Sequence, residues 1–528
     1  MGNYLNPGNS GFAAIRNSIY VDKSGMIDLI NRTIDTAEKL TCVSRPRRFG
    51  KSFAAKMLCA YYDRSCDSAA LFEDLEIATE RRYAESYRRH LNRYDVIYLD
   101  MTAVIGETSY DDIVPYIKRN IIHELKENYP EVKTAEGFVP TLANTVQATG
   151  TKFIMIIDEW DAPVREGRDN PEIGRVYLEF LRALFKNSGA TDKIFAAVYI
   201  TGILPVKKDG SQSAISDFRE FTIVNPREFA EYAGFTEGEV SELCRERDCD
   251  FSMMKQWYDG YTLNGISVYN PNAVMEALRS CEFASYWTET SASKSLMEYI
   301  SLDFDGMSKT IAELLGGVEV PVDTNGFAND LVTFRDRDDV LTLLIHLGYL
   351  AYEKETKTVR IPNEEIRLEF AKTVRRVKRD ETIRRVRESD QLIADTIQEN
   401  AEAVAAQIEK IHAEETAPLF YNHEQALRSV IKLAYFSYKD YYLKFEELPS
   451  GDGYADIVYL PKKLSPVPAL VIELKWNRSA EGAIAQIKDR RYPAALEGYG
   501  GDILLVGIAY DKEERGAKRK HTCVIERV

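Results

Sequence analysis

Two stretches of this chain contain residue types that act on phosphates. The first ends in Gly50-Lys51-Ser52, which lies between an apolar run and the helix-forming run Phe53–Tyr61. Such a loop holds a polyphosphate with backbone N–H groups at a helix N-terminus, while its lysine neutralises phosphate charge and its serine binds Mg²⁺. The usual first glycine of this loop is Arg45 here, so the full pattern is not met and the hypothesis needs support from elsewhere.

A second apolar run offers acidic partners for this loop. The run Phe153–Ile157 is followed by Asp158 and Glu159, a pattern that predicts a buried strand with carboxylates at its carboxyl end. We expect Asp158 to hold Mg²⁺ through water and Glu159 to orient the attacking water. The alternative is a buried strand that simply ends in an acidic turn. Because parallel sheets bind ligands at the carboxyl ends of their strands, the loop and the acidic pair are expected to meet.

The flanking segments supply further candidates for a nucleotide site. A strand over Ile194–Ile200 ends at Thr201, which is a candidate sensor of the γ-phosphate, with a capping or turn role as the equal alternative. Tyr20 and Asp22 precede the loop, where base-contacting residues often lie, but packing explains them equally well. Strands and helices alternate as far as residue 202, which predicts a parallel α/β sheet.

The second chemical stretch lies near the C-terminus. Glu473 and Lys475 are two apart in the predicted strand Ala469–Trp476, so they share one face, and Asp456 in the preceding strand can reach the same point. Charges on an otherwise apolar strand are costly unless they coordinate something. We expect Asp456 and Glu473 to hold Mg²⁺ for phosphodiester hydrolysis and Lys475 to stabilise charge, with a surface ion pair as the alternative. The following helix, 480–494, carries residues suited to phosphate contacts: Gln486, Lys488, Arg490, Arg491 and Tyr492.

Composition limits the classes of function. The chain has 528 residues and a net charge of −15, which argues against nucleic acid binding over the whole surface but not against one basic groove. No apolar run is long enough to span a membrane, and the polar N-terminus does not resemble a signal peptide. The seven cysteines are scattered without zinc-ligand spacing, which predicts reduced thiols and a cytoplasmic protein.

Both ends of the chain resemble known families. The N-terminal part is similar to the AAA-ATPase-like family through Tyr20–Lys23, Arg45–Ser52 and Ile157–Pro163, and in that family an arginine-rich loop replaces the glycine-first loop. The C-terminal part resembles the PD-(D/E)XK nuclease superfamily through Gly453–Asp456 and Glu473–Lys475, followed by Gln486-Ile487-Lys488. The resemblance implies an ATP site and a catalytic role for Gln486. The residues implied to bind ATP are Arg47, Arg48, Phe49, Gly50, Lys51, Ser52, Asp158 and Thr201.

The resemblance also implies a helix glutamate in the nuclease-like site. Glu424 is the first choice, and Glu446 and Glu447 are nearby alternatives. A neighbouring subunit can supply an arginine to ATPases of this class, so homo-oligomerisation is left open.

These observations predict an α/β protein in four parts. They are a P-loop AAA-like ATPase core over 1–225, a helical lid over 226–284, a helical and winged-helix-like connector over 285–412, and a restriction-endonuclease-like α/β domain over 413–528. The leading hypothesis is an ATP-hydrolysing protein coupled to a Mg²⁺-dependent nuclease that acts on DNA. The alternative is a nucleotide-switched ATPase whose C-terminal domain binds nucleic acid or a partner without cleaving it.

Overall fold

The computed structural model divides the chain into two compact units. The first comprises Met1–Ser293 with Pro321–Ile366, and the second comprises Lys294–Val320 with Arg367–Val528. The predicted connector is therefore shared between the two units, and the finer four-part division stays a prediction. The structure describes residues 2–109, 112–166, 171–186, 188–206, 217–287, 307–325, 327, 334, 336–376, 380–415, 424–435, 438, 441–450, 453–462, 467–489, 496, 501–511 and 520–528.

A parallel sheet forms the centre of the first unit. Its described strands are β1 (Leu40–Ser44), β2 (Asp95–Asp100), β3 (Phe153–Asp158), β4 (Phe195–Gly202) and β5 (Arg219–Phe221). They are ordered β2-β3-β4-β1-β5, and every pair is parallel. Strands covered on both faces read as continuous apolar runs, and β3 and β4 are buried along their whole length. Because β4 lies between β1 and β3, the end of β4 lies between two other features. One is the loop 45–50 after β1, here called the phosphate-type loop, and the other is the acidic pair Asp158 and Glu159 after β3.

Helices surround this sheet. Those before β4 are α1 (Ser10–Arg16), α2 (Met26–Asn31), α3 (Lys51–Tyr62), α4 (Ala69–Phe72), α5 (Glu76–Thr79), α6 (Ala84–His90), α7 (Met101–Glu107), α8 (Ile113–Asn128), α9 (Phe138–Thr149), α10 (Ala162–Glu166), α11 (Pro171–Phe185) and α12 (Ser188–Ile194). The short helix α10 begins soon after the acidic pair and so places its side chains close to that pair.

The segment predicted as a helical lid contains three helices and also a small antiparallel sheet, which the sequence analysis did not predict. A 3₁₀ turn, Arg227–Phe229, is followed by β6 (Phe235–Thr236), α13 (Glu237–Glu246), α14 (Phe251–Tyr258), β7 (Tyr261–Leu263), β8 (Ile266–Tyr269) and α15 (Pro271–Ser280). The strands pair in the order β6-β8-β7. Asn264 and Gly265 both have positive φ, which is the backbone of a tight turn that suits the twist of a two-stranded hairpin.

The rest of the first unit contains a helix followed by a hairpin. After β9 (Val320–Pro321), where the chain crosses between units, come α17 (Arg337–Leu347), β10 (Ala351–Glu353) and β11 (Thr358–Arg360). The helix α16 (Met307–Leu315) precedes β9 in the second unit. The helix and hairpin lie where the winged-helix-like pattern was predicted, and their role as a connector stays a prediction.

A mixed sheet forms the centre of the second unit. Its described strands, in spatial order, are β12 (Tyr442–Ser450), β13 (Gly453–Pro461), β14 (Ala469–Trp476), β15 (Ile503–Tyr510) and β16 (His521–Arg527), and only β14 and β15 are parallel among them. The helices are α18 (Glu364–Arg376), which crosses the unit boundary, α19 (Asp380–Ile397), α20 (Ala401–Glu415), α21 (Glu424–Ala434) and α22 (Ala480–Asp489). Among the described residues, no helix is both long and apolar enough to cross a bilayer.

Candidate functional sites

The phosphate-type loop joins β1 to α3 with two residues in the left-handed region. Arg48 has φ +67°, and Gly50, the residue before α3, has φ +85°. Glycine adopts that conformation without a steric cost. No side chain caps α3, so the N–H groups of its first turn are available to an anion. The ammonium of Lys51 is buried, and it donates to the carbonyl of Pro46 at 3.0 Å.

Arg45 braces this loop from within the protein. Its side chain is fully buried, and its guanidinium donates to the carbonyl oxygens of Ser44 (2.9 Å), Phe221 (2.7 Å) and Phe229 (3.0 Å). Burial lowers its pKa to about 10. Because those bonds fix the loop to β5 and to the 3₁₀ turn, the residue that replaces the usual glycine has a structural role and does not point at a ligand.

We expect Arg45→Met to lower the free energy of unfolding of the first unit by about 3 kcal/mol, because several buried carbonyls lose their donor. Urea unfolding followed by tryptophan fluorescence measures the change. The matched control is Arg48→Met in the same loop. The exposed Arg48 bonds only weakly to the carbonyl of Tyr286, at 3.4 Å, and its loss should cost under about 1 kcal/mol. Equal destabilisation by the two substitutions would contradict the structural role of Arg45.

The acidic pair lies at the carboxyl end of β3, next to Thr201. The hydroxyl of Thr201 donates to Asp158 Oδ1 at 2.9 Å, a contact that follows from the position of β4 beside β3. Burial raises the pKa of Asp158, and hydrogen bonding from Ser52 opposes that shift. Ser52 is thus close enough to Asp158 to act on its carboxylate, and Thr201 contacts the same carboxylate.

Glu159 lies between two cations. Its Oε1 is 3.2 Å from Lys51 Nζ, and its Oε2 is 3.2 Å from Arg165 Nη2. Burial favours a raised pKa for Glu159, but Lys51 and Arg165 outweigh it and hold this pKa below its usual value. The backbone of Glu159 has φ +53°, an uncommon conformation for a residue with a side chain. Arg47 is also close enough for its charge to act on Glu159, and burial lowers the pKa of Arg47.

A cavity of about 410 Å³ opens beside the loop. Its wall includes five of the predicted nucleotide residues and Glu159 as well: Arg48, Phe49, Gly50, Lys51, Ser52 and Glu159. The lining also includes residues from α15 and from the segment before α2, of which only Val21 belongs to a motif cited from the sequence: Ile19, Val21, Asn272, Met275, Glu276 and Arg279. Tyr20 lines this cavity, whereas the carboxylate of Asp22 accepts backbone N–H groups of Ser24 and Glu76.

The second site lies on β13 and β14. The antiparallel ladder pairs Ile457 with Ile472, so Asp456 lies directly opposite Glu473, and side chains in such positions share one face. Both carboxylates are buried. Lys475 Nζ lies 3.1 Å from Glu473 Oε1, as the two-residue spacing predicted.

Two further side chains complete this site. Gln486, on α22, donates to Glu473 Oε1, so the predicted residue does reach the carboxylates of this second site. Arg428, which the sequence did not single out, donates from α21 to Asp456 Oδ1 at 2.5 Å, while Oδ2 accepts the N–H of Leu474 at 2.8 Å.

The remaining predicted residues are placed as follows. Glu446 forms ion pairs with Lys432 and Lys444, both at 2.6 Å, so its carboxylate is engaged by two lysines. Lys488 is exposed and paired with Glu526. The side chains of Glu424 and Glu447, and all of Arg490, Arg491 and Tyr492, lie outside the described residues.

The donor set suits a hard divalent cation. Mg²⁺ is usually held by one or two carboxylates, with waters and phosphate oxygens completing its coordination, and Asp456 with Glu473 provides such a pair. In the described part of the chain, no group of three or more acidic, histidine or cysteine side chains is placed to hold a metal. The chemistry of a metal bound here would be to activate water and to neutralise phosphate charge.

Comparison with known proteins assigns both ends of the chain. Residues 8–211 match the family model of a predicted AAA-ATPase, and residues 422–520 match that of the PD-(D/E)XK nuclease superfamily. The chain joins an AAA-ATPase-like domain to a PD-(D/E)XK nuclease superfamily domain. Both resemblances are thereby confirmed, as are the parallel sheet of the AAA-ATPase-like domain and the α/β fold of the nuclease superfamily domain.

Individual relatives have low sequence identity to the chain. An uncharacterized protein in the vnfD 5' region of Azotobacter chroococcum mcd 1 is 24% identical over 299 residues, which is 55% of this chain and 54% of that protein. The chain thus spans about half the length of the curated relative that it matches. The solved structure of the Aeropyrum pernix ORC2 protein, in ADPNP and ADP complexes, covers 68% of this chain and 97% of its own at 12% identity and a TM-score of 0.26.

Proposed function

We propose that the protein binds and hydrolyses ATP in its AAA-ATPase-like domain and thereby controls a Mg²⁺-dependent nuclease domain that cleaves DNA. The observation that carries the nuclease half is the opposed, buried pair Asp456 and Glu473, with Lys475 beside it. Arg428 and Lys475 each face one of these buried carboxylates, and a divalent cation bound by both carboxylates would offset their charge once Arg428 turns to a substrate phosphate.

In the ATPase half, Lys51 and the N–H groups of the first turn of α3 bind the phosphates. Ser52 and Asp158 hold Mg²⁺, Glu159 orients the attacking water, and Thr201 senses the γ-phosphate through its bond to Asp158. The cavity beside the loop has a volume of about 410 Å³, and its lining includes the apolar side chains of Val21 and Met275. It has room for the rest of the nucleotide.

In the nuclease half, Asp456 and Glu473 hold the metal, and Lys475 stabilises the negative charge that develops on the phosphate. Gln486 orients Glu473 by a hydrogen bond to the oxygen that also faces Lys475. For Oδ1 of Asp456 to become available to a metal, Arg428 must give up its bond to that oxygen, while Oδ2 keeps the N–H of Leu474. A guanidinium released in this way lies where a scissile phosphate would need a cation.

One observation favours the alternative of a nucleotide-switched ATPase that binds nucleic acid or a partner without cutting. Both oxygens of Asp456 accept hydrogen bonds from the protein, so the site is self-satisfied without a metal. The net charge of −15 agrees with a protein that makes only limited contact with nucleic acid. The two functions differ in one measurable property, the affinity of Asp456 and Glu473 for a divalent cation.

Calorimetric titration with Mn²⁺ separates the two functions. We expect the wild-type protein to bind Mn²⁺, Glu473→Gln to lose that binding, and Arg428→Met to bind about tenfold more tightly, because a competing cation has gone. Glu446→Gln is the matched control, since that carboxylate lies in the same sheet and pairs with Lys432 and Lys444. If the wild type and Glu473→Gln gave the same Mn²⁺ isotherm, the nuclease assignment would fail in favour of the switch.

A further inference from the structure

We propose that Arg165 is a positioning residue for ATP hydrolysis, which holds Glu159 by linking its carboxylate through Asp161 to the end of β4. This inference rests on the proposed ATPase function and concerns the same site. The sequence analysis did not single out Arg165. Its spacing of four residues from Asp161 allows a local ion pair, but its contact with Glu159 depends on the turn between β3 and α10.

The first part of the link is the guanidinium of Arg165. Its side chain is only 11% exposed, and its two terminal nitrogens lie nearest to two different carboxylates, with Glu166 Oε1 more distant, 3.7 Å from Nη2. Nη2 lies 3.2 Å from Glu159 Oε2, and Nη1 lies 2.8 Å from Asp161 Oδ2. A planar guanidinium that bridges two acids in this way fixes the direction of both, which a lysine cannot do equally well.

The second part is the attachment of Asp161 to the sheet. Asp161 is fully buried, and its carboxylate accepts the backbone N–H groups of Ile203 (3.3 Å) and Leu204 (3.1 Å), directly after β4. A side-chain carbon at Gly202 would lie 2.6 Å from Asp161 Oδ1, so the glycine leaves the space that this carboxylate fills. Asp161 is thus anchored to the strand that also carries Thr201.

Both carboxylates of the acidic pair are therefore tied to the end of β4, by separate routes. Asp158 is reached directly by the Thr201 hydroxyl, and Glu159 is reached through Arg165 and Asp161. In the structure Glu159 also shares Lys51, whose ammonium is needed by the phosphates once nucleotide binds. Arg165 is then the cation that keeps Glu159 in place while Lys51 changes partner.

The test separates binding from turnover. We expect Arg165→Ala to lower the kcat of ATP hydrolysis about 100-fold, because a misplaced general base is costly, while the Kd for a fluorescent ATP analogue changes by less than about threefold. Asp161→Asn should also lower the kcat of ATP hydrolysis. Guanidinium chloride at millimolar concentration should restore part of the kcat of Arg165→Ala, and Arg165→Lys should lie between the two. Arg175→Ala is the matched control, since this exposed arginine pairs with Glu172 and Glu179 on α11.

Each outcome decides a defined claim. An unchanged kcat in Arg165→Ala, or a loss that appears in nucleotide affinity and is insensitive to guanidinium, would overturn the positioning role alone. If thermal melting shows that Arg165→Ala is not folded, the same measurements on Arg165→Lys and Asp161→Asn provide the test. A wild-type protein that binds the ATP analogue without hydrolysing ATP would instead overturn the proposed function, and this inference with it.

Discussion

Alanine in place of Lys475 is expected to reduce DNA cleavage about 1,000-fold while ATP hydrolysis continues at the wild-type rate. Lys475 is buried, and its ammonium lies 3.1 Å from Glu473, so no other lysine can replace it without rearranging β14. The substitution removes the positive charge next to the reacting phosphate, and it also removes the lysine that faces Glu473. Initial rates on labelled DNA with Mg²⁺, measured beside phosphate release from ATP, report the two activities separately.

The control for this experiment is a lysine of the same unit in a surface ion pair. Lys410 on α20 is paired with Glu388, and exposed pairs of this type contribute little to stability. Lys410→Ala should therefore cleave DNA like the wild type. Undiminished cleavage by Lys475→Ala would show that the carboxylate pair of β13 and β14 is not the nuclease centre.

Alanine in place of Lys51 is expected to weaken ATP binding about 100-fold and to reduce hydrolysis below detection. The ammonium is the cation of the phosphate-type loop, and losing a charge-assisted hydrogen bond of this kind costs about 3 kcal/mol. The substitution also leaves Glu159 with Arg165 as its neighbouring cation. Titration with a fluorescent ATP analogue measures binding, and phosphate release measures turnover.

Lys56 provides the comparison on the same helix. It is exposed on α3 and does not line the cavity, so Lys56→Ala should leave both quantities unchanged. If Lys51→Ala bound the analogue as tightly as Lys56→Ala, the loop before α3 would not be the nucleotide site.

The elements that carry both sites were predictable because each is marked locally. Fully buried parallel strands read as apolar runs, so β3 with its terminal Asp158 is visible in the sequence alone. The period of two along β14 likewise placed Glu473 beside Lys475. The hairpin at Asn264-Gly265 carried an equally local signal, since this dipeptide favours a tight turn between strands, and the prediction of a helical lid did not use it.

What the sequence did not predict depends on contacts between distant residues. Arg45 looked like a defect in a phosphate-binding loop, and its role as a brace becomes visible only when Phe221 and Phe229 present their carbonyls to it. Arg428 and Arg165 are ordinary helix residues in sequence. The fold alone brings Arg428 to Asp456. Arg165 lies four residues after Asp161, a spacing that allows a local ion pair, but its contact with Glu159 depends on the turn between β3 and α10.

The measurement that tests the central claim most directly is cleavage of a panel of DNA and RNA substrates with Mg²⁺ or Mn²⁺, with and without ATP. We expect the wild type to cut DNA, Lys475→Ala to leave it intact, and Lys51→Ala to lose the dependence of cleavage on ATP. Intact DNA and RNA throughout the panel, with a pure wild-type protein that hydrolyses ATP, would contradict the nuclease assignment. Cleavage by the wild type that is indifferent to ATP would contradict the coupling of the two sites.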